Sequence, residues 1–312
     1  MAHWRCAPEL NLATPQTTYF YYDLPRILSI EPLMNKVQNY QHLGRHFEGI
    51  SRIVSDWDDT ITAKDTIAVI FDVLGKDTQY GFDYFFKFYM DSFDKFQNEI
   101  LPGKSYSLRD CLEREIMYQK AIKESEKSSI NEAVRLAVFR GIGKSTFENL
   151  VKKIPIRAGF ESFYNYICNT NMHFSVLSIN WTGLMIAKYF ASFKKLPDQI
   201  LVNEFEFDSN DICTGNVVTD IDIRTGYDKL ELTKELVRNE RAIYVGDSST
   251  DVLSMIYCDK AIIIKGGSAS RTLSRLGYKV YSINDEISEK EAKFVKYLEI
   301  EDWNDLLQIL KS

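Results

Sequence analysis

Three carboxylates, Asp56, Asp58 and Asp59, fall within four positions of "RIVSDWDDTITAKDT", residues 52–66, directly after a short apolar run. Unpaired like charges that close repel one another, so the rest of the chain must supply something to meet them. Further along, "SVLS" ends in Ser178, "TGYDKLEL" carries Lys229, and "AIYVGDSSTD" carries Asp247 and Asp251. Hard oxygen ligands gathered at one sheet edge suit Mg²⁺, which keeps several waters and takes one or two carboxylates plus a phosphate oxygen. A lysine and a serine hydroxyl nearby then hold the remaining oxygens of a phosphoryl group. Asp59 and Asp65 read more simply as turn or cap residues. For Asp56, Asp58 and Asp247 together that reading is weak, because three acids at strand ends need a counter-charge.

The elements that must position these residues follow from the pattern around them. "RIVSD" is the first clear strand, and residues 65–154 read as almost continuous helix. Leu108, Leu112, Ile116 and Met117 form a stripe of helical period there, and Ser129 with Glu132 and Ser145 with Glu148 have the spacing of capping boxes that start helices. After Pro155 the pattern changes to short β-rich runs at 173–178, 199–207, 242–247, 260–265 and 279–283, most of them separated by helical segments. That order predicts βαβ units, an α/β fold with a parallel sheet and a helical insertion after its first strand. "EDWNDLLQILKS" closes the chain as an amphipathic helix. In such sheets ligands sit beyond the carboxyl ends of the strands, where the candidate residues fall. A helix starting at the serines of "GDSSTD" puts Asp251 one turn inside it, near Asp247.

Composition sets the outer limits. The 312 residues are 45% hydrophobic and 26% charged, enough for a sizeable soluble core. A formal net charge of −6 argues against a nucleic-acid or anionic-membrane partner, while leaving room for a local basic pocket. Five scattered cysteines without a CxxC pair read as free thiols in a reducing compartment. No apolar run reaches the roughly 18 residues of a membrane span, and the N-terminus has no signal-peptide centre, so the expected location is cytoplasmic. His42 and His46 stand one helical turn apart, but with no third ligand they read as a solvated helix face.

Together, "DWDDT", "VLS", Lys229 and "GDSSTD" resemble the four ordered motifs of the haloacid dehalogenase (HAD) superfamily of Asp-dependent phosphatases. The resemblance covers about residues 51–285 and includes a helical cap after the first motif, as in phosphoserine-phosphatase-like members. It implies a Rossmann-like core at 51–64 and 155–312, a cap at 65–154, and an N-terminal extension at 1–50 whose role it leaves open. Within the superfamily, "DWDDTITAKDT", "VLSINWTG", "NEFEF" and "YVGDSSTD" are similar to the phosphatase half of plant thiamine monophosphate phosphatases and to fungal relatives. Trp57 replaces the usual Phe or Leu between the two acids, and "SIN" stands where phosphoserine phosphatases have Gly-Gly.

The resemblance implies a Mg²⁺-dependent phosphoric monoester hydrolase acting on a small phosphorylated metabolite. Asp56 is then the nucleophile and Asp58 the acid and base. Mg²⁺ is held by Asp56, the backbone carbonyl of Asp58, and Asp247, with Asp251 orienting a metal-bound water. Ser178 and Lys229 hold the phosphoryl oxygens, and Thr60 supports the loop. A catalytically silent binding or regulatory protein on the same fold and a phosphomutase remain alternatives. Trp57 and Trp181 read either as stacking surfaces for a heteroaromatic substrate or as core. Arg140, in "FRGIGK", stands where it can reach a substrate from the cap, though a solvated loop arginine is the simpler reading.

Overall fold

The computed structural model describes residues 31–75 and 78–312. Among the described residues nine strands run in chain order: β1 (Arg52–Ser55), β2 (His173–Leu177), β3 (Gln199–Leu201), β4 (Phe205–Phe207), β5 (Cys213–Val217), β6 (Ala242–Gly246), β7 (Lys260–Ile264), β8 (Val280–Ser282) and β9 (Tyr297–Ile300). Seven form one parallel sheet in the order β3-β2-β1-β6-β7-β9-β8. Its central strands "RIVS", "AIYVG" and "KAIII" are buried along their whole length. Continuous burial of that kind is what helices on both faces of a parallel sheet impose. The chain works outward from β1 through β2 to β3 on one side, and from β6 to β7 on the other, where β8 takes the edge and β9 returns to fill the gap, so the switch in strand order lies between β1 and β6. Ser55 pairs in register with Val176 of β2 and Val245 of β6. The loops that open at Asp56, Ser178 and Asp247 therefore leave the sheet at one level, where a crevice forms.

Between β1 and β2 the chain is helical, as expected, but broken. Helices at Phe82–Lys95, Leu112–Ala121 and Ser128–Arg135 are the longer pieces, with short turns at either end. The Ser129 and Ser145 capping boxes do not form. Ser129 is the second residue of its helix rather than the capping one, which is Lys127, and Glu132 pairs with Arg135 at 2.6 Å instead. Helix Lys144–Asn149 starts after Gly143 with no side-chain cap. Capping boxes occur at Thr225 with Asp228 and at Ser288 with Glu291.

Two further expectations change. The run 199–207 is not one strand: β3 joins the main sheet, while β4 turns away and pairs antiparallel with β5. Asn203, between them, ties the bend by donating to the carbonyls of Ile179, Asn180 and Ile223. Strands β5 and β9 lay outside the sequence expectation. β9 is four residues long and begins just past the charge run "DEISEKEAK", which ends at Lys293.

Helix Glu31–Phe47 packs on the terminal helix Trp303–Lys311, where Tyr40 donates to Asp305 at 2.6 Å and Lys36 pairs with it at 2.8 Å. The described part of the 1–50 segment thus joins the packing of the core, and residues 1–30 lie outside the described residues. The half-buried His42 bonds the carbonyl of Ile287 at 2.8 Å, so the His42/His46 turn is a docking contact rather than a solvated face. Among the described residues no helix is long and apolar enough to cross a membrane. Cys111, Cys168, Cys213 and Cys258 are free thiols, and Cys6 lies outside the described residues.

Candidate active site

Lys229 is the hub of the crevice. It sits on helix Gly226–Leu236, whose start is fixed by the Thr225–Asp228 capping box. Its fully buried ammonium lies 2.8 Å from Asp56 Oδ2 and 2.8 Å from Asp251 Oδ1. Burial pulls its pKa down, but the two carboxylates outweigh burial and hold it above the ordinary lysine value.

Asp251 is saturated with donors. Oδ1 also accepts from the Tyr244 hydroxyl at 2.9 Å, and Oδ2 accepts from the amides of Asp247 and Ser248 at 3.2 and 3.0 Å. The helix here is Val252–Tyr257, so Asp251 stands at its start rather than one turn inside it. The "GDSSTD" loop folds back onto its own strand end, so a Cβ on Gly246 would lie 2.5 Å from the Asp251 carboxyl carbon. Glycine is required there by close approach.

Asp56, Asp247 and Asp251 bring carboxylate oxygens within 4.8 Å of one another, all buried. Asp247 Oδ1 accepts from Thr60 Oγ1 at 3.1 Å, which gives fully buried Thr60 its place as a support for Asp247. Burial, reinforced by Asp251 and Asp56, pushes the Asp247 carboxyl well above its usual range. Burial likewise raises Asp56 to about 7 against the opposing pull of Lys229. Three buried carboxyl groups thus share one ammonium among the described residues, and the others can carry their charge only if a further cation meets them. A divalent cation meets that condition, and an all-oxygen donor set is the kind Mg²⁺ takes. The residues present fit the metal.

The Asp58 carboxylate points elsewhere. Oδ1 accepts from the amide and hydroxyl of Thr66 at 2.8 and 2.5 Å, and Oδ2 accepts from Asn180 Nδ2 at 2.9 Å. Burial, then the charges of Asp65 and Asp56, raise its pKa to about 8. Ser178, fully buried at the end of β2, accepts the Asn180 amide on its hydroxyl at 3.0 Å. Asp59 is a turn residue with φ of 52°, and Arg157 donates to its carbonyl at 2.6 Å. Asp65 accepts the Ile67 amide at 2.7 Å, as a turn residue does.

The three softer candidates part company. Trp57 is fully buried, with its ring against Tyr189 and Phe190 and its indole NH bonded to Thr66 at 3.3 Å. It is core, because β1 drives the residue after Asp56 inward. Trp181 lines a cavity of about 130 Å³ and meets Phe71 edge-on at 5.5 Å. Arg140 is exposed and donates to the Thr214 carbonyl at 3.0 Å, so it braces β5 and does not line the cavity. Sequence reasoning missed the roles of Thr66, Asn180 and Tyr244, although each stands in a run that had drawn notice, "DWDDTITAKDT", "SINWTG" and "AIYVGDSSTD".

No family model matches the chain. Cold tolerance protein 1 of Saccharomyces cerevisiae is 26% identical over 277 residues, which cover 77% of this chain and 87% of that one. The mitochondrial bifunctional TH2 protein of Arabidopsis thaliana is 21% identical over 198 residues, covering 59% of this chain and only 32% of the plant protein. Among solved structures, an HAD-family hydrolase from Salmonella enterica serovar Typhi superposes with a TM-score of 0.51 at 13% identity, covering 84% of this chain and 71% of that one. The chain has the HAD-hydrolase fold. Here the loops after β1, β2 and β6 and the Lys229 helix come together: Lys229 pairs with Asp56, Thr60 donates to Asp247, and Asn180 donates to Asp58. The helices between β1 and β2 touch the start of the Lys229 helix through Gln119, whose side-chain oxygen accepts the Gly226 amide at 3.0 Å.

Proposed function

We propose that the protein is a Mg²⁺-dependent phosphomonoesterase that works through an aspartyl-phosphate on Asp56. The observation that carries the reading is the shortage of cations beside Lys229: three buried carboxyl groups share its one ammonium among the described residues. Bound Mg²⁺ would be held by Asp56 and Asp247, with the Asp58 carbonyl completing the protein ligands, and would neutralise charge on the phosphoryl oxygens. Asp251 serves to position Lys229 and the Asp247 loop.

The chain's own residues divide the remaining work. The Asp56 carboxylate attacks phosphorus, forming an Asp56–O–P bond as the bond to the leaving oxygen breaks. Asp58, held to one side by Thr66 and Asn180, gives its proton to that oxygen. In the second half a water attacks phosphorus, its proton passes to Asp58, and the Asp56–O–P bond breaks to release phosphate. Lys229 balances the anionic oxygens throughout, and Ser178 holds the turn that presents Asn180. The helices of 65–154 act as a cap that excludes water while the intermediate lasts.

For the substrate we propose a small heteroaromatic phosphomonoester, thiamine monophosphate first and pyridoxal phosphate second. Trp181 and the aromatic cavity beside Asp58 support that class, as does the resemblance around "SINWTG". The test is phosphate release from a panel of phosphorylated metabolites with and without Mg²⁺. Release that needs Mg²⁺ and is lost in Asp56→Asn is expected. Equal turnover by Asp56→Asn and wild type at matched purity overturns the mechanism.

A further inference from the structure

Helix Ala269–Arg275, seven residues long, is bonded at both ends. Its start lies on the Asp247 loop, because the paired strands β6 and β7 leave the sheet side by side. The Ala269 amide donates to the Asp247 carbonyl at 2.8 Å, and the Ser268 hydroxyl accepts the Ser249 amide at 2.8 Å. A Cβ on Gly267 would lie 2.5 Å from Asp247 Oδ2, so only glycine lets the chain run that close to the carboxylate. Arg275, the last residue of the helix, reaches the inserted helices. Its Nε donates to the Arg109 carbonyl at 2.9 Å and its Nη2 to Glu115 Oε2 at 3.0 Å.

Glu115 is the other half of that joint. It stands on helix Leu112–Ala121, fully buried, and Arg109 holds it with two bonds of 2.7 Å. The Arg109 guanidinium in turn lies 3.7 Å over the Tyr118 ring. Gln119 donates to Glu115 Oε1 at 2.9 Å while its oxygen takes the Gly226 amide, so Glu115 is one side chain away from the start of the Lys229 helix. Gly226 itself lies against the Thr250 carbonyl, 2.6 Å from where its Cβ would be. Two core helices thus flank the Asp247–Asp251 loop, and Glu115 is bonded towards both. A buried ion pair adds little net stability over apolar side chains of the same volume, and its best-attested use is to fix register.

We propose that helix Ala269–Arg275 is a strut through which the inserted helices position Asp247, with Arg275 and Glu115 as its outer joint. Two turns of helix make a stiff spacer of about 10 Å between that joint and the Asp247 loop. Arg275 is a positioning residue: it touches neither a metal nor the reacting atoms and acts through the helix. Without the joint one end of the strut is free, and the Asp247 carbonyl and Ser249 amide, bonded to the other end, gain freedom with it. The proposal rests on the Mg²⁺ reading for what this placement serves, and adds to it a pair of residues outside the crevice.

Calorimetric binding of Mg²⁺ to the full chain, without substrate, reads the placement. Arg275→Met keeps most of the stem and removes the joint. Its Kd for Mg²⁺ should rise about fivefold, the lower end of couplings between separate sites. Arg275→Lys, which still carries its charge towards Glu115, should recover most of that loss. Amide exchange reads the strut with no metal present. In Arg275→Met the Ser249 and Ala269 amides should exchange about fivefold faster, while the amides of β2 keep the wild-type rate. Equal quickening of β2 marks a general loss of stability and overturns the strut. An unchanged Kd for Mg²⁺ in Arg275→Met also overturns it and leaves the metal reading intact. No Mg²⁺ binding by wild type, with Ser249 and Ala269 still exchanging faster in the variant, overturns the metal reading and leaves the strut standing.

Discussion

Asn180 donates to Asp58 at 2.9 Å and, with the same nitrogen, to Thr66 Oγ1 at 3.0 Å, so two loops 122 residues apart meet on one carboxylate. Thr66 in turn donates to Asp58, which closes a small buried ring of polar contacts. A carboxyl held that way presents its proton in a single direction. Asn180→Ala opens the ring and frees the Asp58 carboxyl to rotate. The expected outcome is a fall in kcat of about tenfold to a hundredfold, the usual cost of misplacing a reacting group by an ångström, with KM little changed because Asn180 contacts no substrate. Steady-state kinetics check it; an undiminished kcat sinks the positioning role.

Lys229 is more than a phosphate ligand, because it is also the only cation that Asp56 and Asp251 share among the described residues. Lys229→Met keeps the length of the stem and removes the charge, leaving buried carboxylates in mutual repulsion. Breaking a buried pair costs roughly 3–5 kcal/mol. Thermal unfolding should show the loss as a fall in Tm of many degrees at neutral pH. A second substitution, Asp251→Asn, should recover part of it by removing one of the stranded charges. A double variant no more stable than Lys229→Met contradicts the coupling.

Metal binding has a readout that needs no substrate. A ligand that binds the folded state alone raises stability by about 2.7 kcal/mol at a hundred times its Kd. For a chain of this size that is a rise in Tm of roughly 4 °C. Mg²⁺ should produce such a rise in wild type and not in Asp247→Asn, whose carboxylate belongs to the buried acidic triad. Absence of any Mg²⁺ effect on wild type rejects the metal site.

Six of the seven strands of the main sheet were legible because they are short apolar runs cut by polar turns, a pattern local residues state outright, while β9 was not. Strand ends then told where acids, lysine and serine would gather, since parallel strands end at one level. What stayed hidden depends on tertiary direction. Trp57 and Trp181 both adjoin motif residues, yet one ring turns into the core and the other toward the cavity. Alternation along a strand separates them only when the register of the loop is known. Thr66 and Tyr244 lie within quoted runs, yet nothing local says that their hydroxyls reach the Asp58 and Asp251 carboxylates. The bend at Asn203 was hidden for the same reason, because its bonds go to carbonyls more than 19 residues away in sequence.

Asp222 gives a prediction about pH. Burial pushes its carboxyl up, but hydrogen bonds and charge from Arg224, Lys127 and Lys123 outweigh burial and hold its pKa at about 2. Its folded value lies below the unfolded one of about 3.9. The group therefore stabilises the fold above about pH 4, and that contribution is lost as pH falls toward 2. Because Asp222 is partly exposed, solvent screening limits the effect to on the order of 1 kcal/mol. Asp222→Asn should lower Tm at pH 7 and narrow its gap to wild type as pH falls from 4 to 2. A gap that stays constant over that range rules the linkage out. Lys123 and Lys127 belong to the inserted helices while Asp222 belongs to the core, so the same acid also ties the two parts together.

Trp303 anchors the loop after β1 from the far end of the chain. Its ring packs on Phe160 at 4.9 Å and Phe163 at 4.6 Å, and its indole NH donates to the Thr60 carbonyl at 2.9 Å. Thr60 itself donates to Asp247, so the terminal helix, the Asp56 loop and the Asp247 loop form one chain of contacts. Trp303→Phe keeps an aromatic ring and deletes the donor. A buried carbonyl left without a partner costs about 1–3 kcal/mol, and the lost ring volume adds to it. The Tm should therefore fall by several degrees. Activity should fall as well, because the Thr60 carbonyl is then free to move the turn that carries Asp56 and Asp58. Trp303→Leu, which removes ring and donor together, should lower both further. The discriminating comparison is between the two substitutions: if the stability loss of Trp303→Leu equals that of Trp303→Phe while only Leu loses activity, the hydrogen bond to Thr60 has no part in holding the loop.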